Sequence, residues 1–381
     1  MKPLLLLDDA LYGYDLGERH PMGADRVRLA VELADYYGVL SHFDLEVPPP
    51  CTRSLLELVH TPGYVDAVLS GSVSAEHGLG DSEDNPVPSS RMAAIGATIV
   101  SGTVAATDAV WSGRVKRAVN IAGGLHHAFP NRMSGFCLYN DASVAISRLL
   151  SSGATRIAYL DLDAHHGDGV ERQFWDDPRV LTISIHESGL YLFPGTGFAH
   201  EIGGPSALGT AVNIALDRNT SEEEWLRCVH SVIPQLLKVF RPEVLITQHG
   251  ADPHRDDPLA DLSLTVDALY RSYASVSRWA DKYASGRWVA LGGGGYHRDS
   301  AARIWAALLA AVANVPFEPA AALPHNWSRR VGAPCSVTWG DPGSNASKLS
   351  LDRIALGGSA SPALKATSRA VFPYWGLQPY G

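Results

Sequence analysis

The chain has 381 residues, of which 46% are hydrophobic and 19% charged, and its formal net charge is −9. This composition is typical of a globular enzyme, and the acidic balance leaves no basic surface for nucleic acid or acidic lipid. The four cysteines are scattered without a CxxC pair, which argues against a disulfide framework and favours reduced thiols in the cytoplasm. We expect neither a signal peptide nor an apolar run approaching the ~20 residues that span a bilayer.

Strands and helices are predicted to alternate along most of the chain. Short apolar runs predict strands, and apolar residues spaced three or four apart predict helices. The predicted strands are 4–7, 117–122, 157–163, 180–186, 244–248 and 288–291, and the predicted helices are 25–37, 92–110, 142–150, 222–240, 264–283 and 300–312. This alternation predicts one α/β domain, with a mostly parallel central sheet covered by helices on both faces.

The alternating pattern weakens toward the C-terminus. Residues 321–381 are rich in Pro, Gly and Ser but also contain large aromatic side chains, including Trp327, Trp339 and Trp375. Because burial of these rings would anchor the segment, we predict that it is an extension packed on the domain formed by residues 1–320.

The predicted strand at 157–163 runs into a cluster of acidic and imidazole groups. From Tyr159 the sequence reads Tyr-Leu-Asp-Leu-Asp-Ala-His-His-Gly-Asp-Gly-Val. Side chains alternate in an extended chain, so Asp161, Asp163 and His165 point the same way. Ligands bind at the carboxyl ends of strands in open α/β sheets. The cluster therefore predicts a site for a divalent metal ion.

Two adjacent histidines, His126 and His127, form a second group of candidates. They follow a Gly-Gly pair directly after a predicted strand. When a carboxylate binds one ring nitrogen of an imidazole, the tautomer is fixed and the other nitrogen becomes more basic. We therefore predict a catalytic pair, for which the carboxylates of Asp161 and Asp168 are available.

Two further loops at strand ends supply the remaining candidates. Catalytic zinc commonly has three protein ligands and an open position. The loop after the predicted strand 244–248 offers four candidates for the third ligand, and spacing does not choose among them: Asp252, His254, Asp256 and Asp257. The loop Gly-Gly-Gly-Gly-Tyr-His after Leu291 lacks the spacing of a nucleotide-binding loop, and its glycines let backbone approach a ligand. It presents Tyr296, whose hydroxyl can stabilise an oxyanion.

Together these motifs resemble the zinc-dependent histone deacetylase family. The resemblance is carried by Gly-Gly-Leu-His-His-Ala, Asp-Leu-Asp-Ala-His-His-Gly-Asp-Gly-Val, Phe-Pro-Gly-Thr-Gly and Gly-Gly-Gly-Gly-Tyr, and also by His-Pro-Met, Ser-Glu-Asp-Asn-Pro-Val and Gly-Phe-Cys-Leu-Tyr-Asn-Asp. It extends over about residues 10 to 310 and implies the arginase/deacetylase fold. The loop Asp-Pro-Leu-Ala at Asp257 and the C-terminal Phe-Pro-Tyr-Trp-Gly-Leu are most similar to the bacterial acetoin utilisation branch of the family.

The resemblance implies the catalytic roles. It implies three zinc ligands, Asp163, His165 and Asp257, and Fe²⁺ is an alternative metal for this ligand set. It also implies a general base and acid, His127 paired with Asp168, an electrostatic assistant, His126 paired with Asp161, and an oxyanion donor, Tyr296.

The resemblance further implies a substrate tunnel and a structural potassium ion. The substrate-binding residues would be the aromatic walls Phe136 and Phe193, the Gly135 carbonyl that takes the substrate amide, the rim residue Asp84, and Arg26 near the acetate exit. The potassium ion would lie at Asp161, Ser184 and Ile185. His297 and residues 253–256 depart from the family pattern at the pocket rim, so the acyl preference stays open.

The resulting prediction is a zinc-dependent amidohydrolase that removes acetyl or other acyl groups from lysine side chains of proteins. The alternative is a deacetylase of small acetylated amines, such as acetylpolyamines, with the same site. A binuclear manganese ureohydrolase would require a carboxylate two residues after His165 to bridge a second metal ion, and that residue is Gly167, so this alternative is disfavoured. A non-catalytic binding protein is disfavoured because every candidate zinc, base and tyrosine position is filled. The sequence leaves the oligomeric state open.

Overall fold

The computed structural model describes residues 1–17, 20–23, 25–332, 334–356 and 360–381. Eight strands are found in this part of the chain: β1 Leu4–Leu6, β2 Asp44–Glu46, β3 Arg117–Asn120, β4 Ile157–Asp161, β5 Val180–Glu187, β6 Ala211–Leu216, β7 Val244–Gln248 and β8 Trp288–Leu291. All their pairings are parallel, and they form one sheet in the order β2-β1-β3-β8-β7-β4-β5-β6. The predicted α/β class with a parallel central sheet is confirmed.

Twelve α-helices lie in the same described residues. Several begin at polar residues that cap them: the side chains of Ser89, Ser221 and Thr265 each accept a hydrogen bond from the backbone N–H three residues further on. The helices are α1 Asp25–Tyr36, α2 Arg53–Leu56, α3 Pro62–Ser70, α4 Ser90–Trp111, α5 Asp141–Ser151, α6 Asp168–Gln173, α7 Glu222–Phe240, α8 Val266–Tyr283, α9 Arg298–Ala313, α10 Trp327–Val331, α11 Leu351–Leu356 and α12 Pro362–Val371.

Helices cover both faces of the sheet because alternate strand residues point to opposite sides. In β4, Ala158 and Leu160 belong to the hydrophobic cluster that contains α1, α7, α8 and α9. Ile157 and Tyr159 belong to the cluster on the other face, with residues of α4 and α5. Every residue of β4 is buried. Burial on both faces explains why the inner strands read as continuous apolar runs.

The two edge strands, β2 and β6, are not predicted from the sequence. β2 has three residues, all exposed, so it shows no apolar run. β6 is interrupted by the polar residue Asn213, whose side-chain amide donates to Glu171 Oε2 at 2.7 Å. The central strand β4 also ends earlier than predicted, at Asp161, because the chain leaves the sheet there and turns into the polar segment.

Helix α4 is long and apolar enough to cross a bilayer by length and composition. This corrects the expectation that no segment of the chain approaches a membrane span. In the structure 72% of its most apolar window is buried, because the helix packs against α5 and β3. Such burial is typical of a helix in a protein core.

The C-terminal segment, from residue 321 onward, lies against the rest of the protein. Trp339 stacks on Tyr37 with ring centroids 4.0 Å apart. Thr367 Oγ1 donates to the carbonyl oxygen of Asn213 at 2.6 Å. The predicted aromatic anchoring agrees with these contacts, while the division of the chain after residue 320 stays a prediction.

Candidate metal and catalytic site

Four neighbouring strands bring the candidate residues to one edge of the sheet. β3, β8, β7 and β4 are consecutive in the sheet and parallel, so the loops after their carboxyl ends meet. The loop after β3 carries His126 and His127, and the loop after β4 carries Asp163 and His165. The loops after β7 and β8 carry the third-ligand candidates and Tyr296.

Each of the paired histidines is bonded to its own carboxylate. His126 Nδ1 lies 2.8 Å from Asp161 Oδ2, and His127 Nδ1 lies 2.6 Å from Asp168 Oδ1. Both imidazoles are buried, and their Nε2 atoms are 3.0 Å apart. The structure therefore brings together both of the expected histidine–aspartate pairs.

The two imidazoles have opposite pKa shifts. Burial acts to lower the pKa of both rings. At His126 the charges of Asp161 and Asp163 outweigh burial and raise the pKa to about 9. At His127 burial is reinforced by the positive charge of His126, and the pKa falls to about 4. His127 is therefore neutral at pH 7, and its Nε2 can accept a proton.

The acidic and imidazole groups converge on one small volume. Ligand atoms of Asp163, His165 and Asp252 all lie within 4.8 Å of one another, and the three residues are buried. His165 Nδ1 lies 3.2 Å from Asp163 Oδ1 and 3.0 Å from Asp252 Oδ2. Within the part of the chain that the structure describes, these are the side chains with the spacing of a metal site.

This donor set fits a divalent cation. Burial and the neighbouring Asp163 carboxylate raise the pKa of Asp252, because two buried negative charges repel each other. A cation between them would remove that repulsion. Carboxylates and imidazole are also ligands that catalytic zinc uses.

Asp257, the third ligand that the resemblance implies, lies beside this group but is not one of the three. Its Oδ2 accepts the backbone N–H of Tyr296 at 2.7 Å, and its Oδ1 accepts that of Leu259 at 3.0 Å. Tyr296 and Leu259 line the same cavity as His165. Asp252, by contrast, is completely buried. Two aspartates, Asp252 and Asp257, are therefore candidates for the third metal ligand.

A cavity of about 230 Å³ reaches the imidazoles of His127 and His165. Its other walls are Asp84, Asn85, Gly135, Phe136, Leu192, Phe193, Leu259 and Tyr296. Of the residues expected to bind substrate, all but Arg26 lie on it. The ring of Phe193 is 5.0 Å from that of His127, and this phenylalanine is 49% exposed. Largely apolar walls that end at polar groups fit a narrow aliphatic chain with a reactive end.

Gly135 and Phe136 form a left-handed turn in the cavity wall. The φ angles are +50° and +68°, and the second is rare for a bulky residue. A Cβ at position 135 would lie 2.4 Å from His127 Cδ2, so only glycine fits there. Tyr14 holds the turn, because its hydroxyl donates to the Phe136 carbonyl at 2.8 Å and accepts the Leu138 N–H at 3.1 Å.

Tyr296 is supported by Arg26. The guanidinium lies 5.6 Å from the centroid of the tyrosine ring and donates to the carbonyl oxygens of Gly293 and Gly295 at 3.2 and 2.8 Å. Arg26 lines a smaller cavity beside Trp305 and not the substrate cavity. Burial and nearby aspartates raise the pKa of Tyr296, so its hydroxyl stays protonated and can donate.

Comparison with known proteins identifies the family. Residues 20–312 match the model of the histone deacetylase domain. The chain belongs to the histone deacetylase family. It is 38% identical over 345 residues to the acetoin utilization protein AcuC of Bacillus subtilis, covering 86% of this chain and 87% of that protein. It is 34% identical over 326 residues to AcuC of Staphylococcus xylosus, covering 83% and 84%.

Solved histone deacetylase homologues have the same fold. The crystal structure of an HDAC homologue complexed with SAHA matches with a TM-score of 0.81 and 29% identity, covering 97% of this chain and 100% of that one. The HDAC homologue from Aquifex aeolicus matches with a TM-score of 0.80 and 28% identity, covering 97% and 99%. The resemblance to the family and its acetoin utilisation branch is confirmed, and the protein is a hydrolase of this family.

In this histone deacetylase family member, Gly167 lies against the carboxylate of Asp161. A Cβ at position 167 would be 2.3 Å from Asp161 Oδ2, the oxygen that contacts His126. No bridging carboxylate fits there while the His126–Asp161 pair stays intact. This observation disfavours the binuclear ureohydrolase alternative.

The candidate potassium residues of this family member lie side by side. Asp161 in β4 is the register partner of Ser184 in β5, and Ile185 follows Ser184. Ser184 Oγ also lies 2.8 Å from His186 Nδ1. The register explains how the three residues come together, and the potassium ion itself stays a proposal.

Gln248, which was not among the predicted site residues, contacts the candidate metal site of this family member. Its Nε2 donates to Asp163 Oδ2 at 2.6 Å, and its Oε1 accepts the Gly250 N–H at 2.8 Å. A signal was present, because Gln248 is the polar end of a strand that begins with three apolar residues.

Asn140 and Asp141 were also missed, although they lie in one of the matching motifs. Asn140 Nδ2 donates to the carbonyl oxygen of His126 at 3.2 Å. Asp141 accepts the backbone N–H of Leu125 at 2.8 Å. Both residues hold the loop of the paired histidines through backbone groups, which a sequence pattern does not reveal.

Proposed function

We propose that this protein is a zinc-dependent hydrolase that removes acetyl or other acyl groups from lysine side chains of proteins. The observation that carries the proposal is that His127, His165 and Tyr296 line one cavity. A base, a metal ligand and a hydroxyl donor are the groups required for amide hydrolysis by an activated water.

The proposed zinc ligands are Asp163, His165 and Asp257, with Fe²⁺ as an alternative metal. Asp257 is favoured over Asp252 because its neighbours line the cavity that admits substrate. Asp252 is completely buried, and its Oδ1 accepts the Ala164 N–H at 2.9 Å. A bound divalent cation would polarise the acyl carbonyl and acidify the attacking water.

His127 is the proposed general base. Its Nδ1 is bonded to Asp168, which fixes the tautomer that leaves Nε2 free to accept a proton. The low pKa keeps the ring neutral before water attacks. After the attack, the same nitrogen gives its proton to the departing amine, so one residue serves both steps.

Tyr296 and His126 are the proposed electrostatic partners. The protonated hydroxyl of Tyr296 donates a hydrogen bond to the oxyanion that forms on the former carbonyl oxygen. His126, with its pKa of about 9, supplies positive charge next to His127. Both groups favour the transition state, in which negative charge has developed, over the neutral amide.

The cavity walls support an acyl-lysine substrate. Phe136, Leu192, Phe193 and Leu259 offer apolar contacts along its length, which suits the methylene chain of a lysine. The Gly135 carbonyl is the proposed acceptor for the substrate amide N–H. The second candidate substrate, a small acetylated amine, is favoured by Asp84, an exposed carboxylate on the cavity that would pair with a cationic tail.

A structural potassium ion at Asp161, Ser184 and Ile185 and a cytoplasmic location complete the proposal. The first is supported by the β4–β5 register. The second is supported by the four cysteines, which are free thiols.

The test combines metal analysis with hydrolysis assays on the wild type and Tyr296→Phe. We expect stoichiometric zinc in both proteins and turnover of acetyl-lysine peptides by the wild type. The rate should fall roughly 10²–10³-fold in Tyr296→Phe, as for a lost oxyanion donor. Acetylated polyamines in the same assay separate the two substrate classes. Bound zinc without hydrolysis of either class would contradict the proposal.

A further inference from the structure

Asp341, in the C-terminal segment, is the centre of a buried polar network next to the catalytic loops. Its side chain is 2% exposed. Oδ2 accepts from His254 Nε2 at 2.9 Å and from the Val266 backbone N–H at 2.8 Å, and Oδ1 accepts from Arg303 Nη1 at 2.8 Å. Asp341 lies beyond the matched deacetylase domain, which ends at residue 312, and no catalytic role described above involves it.

His254 connects Asp341 to the loop that carries Asp257. Its Nδ1 accepts the backbone N–H of Asp256 at 3.2 Å, so its Nε2 carries the proton that Asp341 accepts. Its carbonyl oxygen accepts the backbone N–H of Asp257 at 2.9 Å. His254 is completely buried, so its ring nitrogens depend on these two partners. Ring and backbone together fix the turn that leads into Asp257.

A second set of contacts connects Asp257 to Asp341 through the loop that carries Tyr296. Asp257 Oδ2 accepts the backbone N–H of Tyr296 at 2.7 Å. Helix α9 begins two residues after Tyr296 and carries Arg303, which donates to Asp341. The metal-ligand loop and the tyrosine loop are therefore held to each other directly and also through one carboxylate of the C-terminal segment.

We propose that Asp341 is a positioning residue that acts through His254 to hold Asp257 in the geometry that metal binding needs. This inference rests on the proposed function and makes the C-terminal segment part of the active-site support. A carboxylate is required because two oxygens serve three donors from three different segments. An amide at this position would offer one acceptor oxygen and leave a buried donor unpaired.

The experiment measures the affinity of the metal-free protein for Zn²⁺ by competition with a chromophoric chelator. The variants are Asp341→Asn, His254→Gln and the double variant, with Thr367→Val as the matched control. Thr367 is a buried residue of the same segment, but it bonds the Asn213 carbonyl in β6 and not the metal loop. Hydrogen exchange of the Asp257 and Tyr296 amides is measured on the same metal-free proteins.

We expect each single variant to bind Zn²⁺ about 10–100-fold more weakly, as when the support of a metal ligand is removed. The Zn²⁺ affinity of the double variant should be only slightly lower than that of the single variant that binds Zn²⁺ more weakly, because the two residues act through one contact. Thr367→Val should keep the wild-type affinity. The Asp257 and Tyr296 amides should exchange faster in Asp341→Asn and not in the control.

Wild-type Zn²⁺ affinity in both Asp341→Asn and His254→Gln would overturn this inference and leave the proposed function intact. An equal loss in Thr367→Val would also overturn it, since the effect would then reflect general stability. A wild type that takes no Zn²⁺ would instead overturn the proposed function. In that case the exchange rates still decide whether Asp341 holds the loop, and unchanged rates would refute it.

Discussion

The Nε2 atoms of His126 and His127 lie 3.0 Å apart, although each ring is bonded to a different aspartate. A protonated and a neutral imidazole can lie this close to each other. Two protonated rings would repel each other. At neutral pH the pKa of about 9 keeps His126 protonated and the pKa of about 4 keeps His127 neutral, so the two rings do not repel each other.

Removal of the two rings should therefore have unequal effects. His127→Ala deletes the ring that lines the cavity and accepts the proton, and kcat should fall about 10²–10⁴-fold. His126→Ala should cost less, because that ring contributes charge and not proton transfer. The measurement is kcat on an acetyl-lysine peptide, with the zinc content of each variant determined in parallel. A larger loss in His126→Ala would reverse the assignment of the base.

Asp257→Asn and Asp252→Asn should separate the two candidates for the third metal ligand. Loss of a direct ligand should abolish tight Zn²⁺ binding, whereas loss of a carboxylate that orients His165 should weaken it about 10–100-fold. We expect the first result for Asp257→Asn and the second for Asp252→Asn. Zn²⁺ titration in the presence of a chelator at constant pH gives both affinities. The opposite order would make Asp252 the ligand.

Gly135→Ala should inactivate the enzyme, while Gly153→Ala should not. Both glycines have positive φ, +50° and +95°, so each substitution should cost roughly 1–2 kcal/mol of stability. The new Cβ would lie 2.4 Å from His127 Cδ2 at position 135, whereas nothing lies within 4 Å at position 153. Displacement of the base should lower kcat by about 10²-fold or more. Tm and kcat are measured on both variants, and equal activity would show that the imidazole yields without loss of function.

The protein should lose stability as the pH falls from 6.5 toward 4. Burial lowers the pKa of His60 to about 4 and that of His249 to about 3. The unfolded chain binds these protons more tightly than the native state, so the stability is complete above pH 6.5 and declines below it. At pH 5 each of the two histidines should lower the free energy of unfolding by about 2 kcal/mol relative to its value above pH 6.5.

Urea denaturation of the wild type and His60→Gln at pH 7.5 and pH 5 checks this dependence. Glutamine offers an acceptor for the Asn140 N–H that His60 Nε2 binds at 3.0 Å, but it does not titrate. The free energy of unfolding should therefore drop by about 2 kcal/mol less in the variant. An identical drop in both proteins would show that His60 does not contribute.

The meeting of His126, Asp163 and Tyr296 could be predicted because each follows an apolar strand, and parallel strands end at one sheet edge. The choice between Asp252 and Asp257 could not, since the two aspartates share one loop and differ in burial, which spacing does not encode. The left-handed backbone conformation of Phe136 could not be predicted either, because its φ angle depends on the contacts around the turn. The bond between His254 and Asp341 spans 87 residues, and no local pattern indicates it.

The last strand in the sequence, β8, lies between β3 and β7 in the middle of the sheet. In the complete sheet, the strands that precede Trp288 in the sequence fall into two groups that do not pair with each other, β1 to β3 and β4 to β7. The first group leads to His126 and the second to Asp163, and among the described strands β8 is the one that pairs with both groups. Translation products that stop before β8 therefore lack the strand that joins the two halves of the catalytic centre.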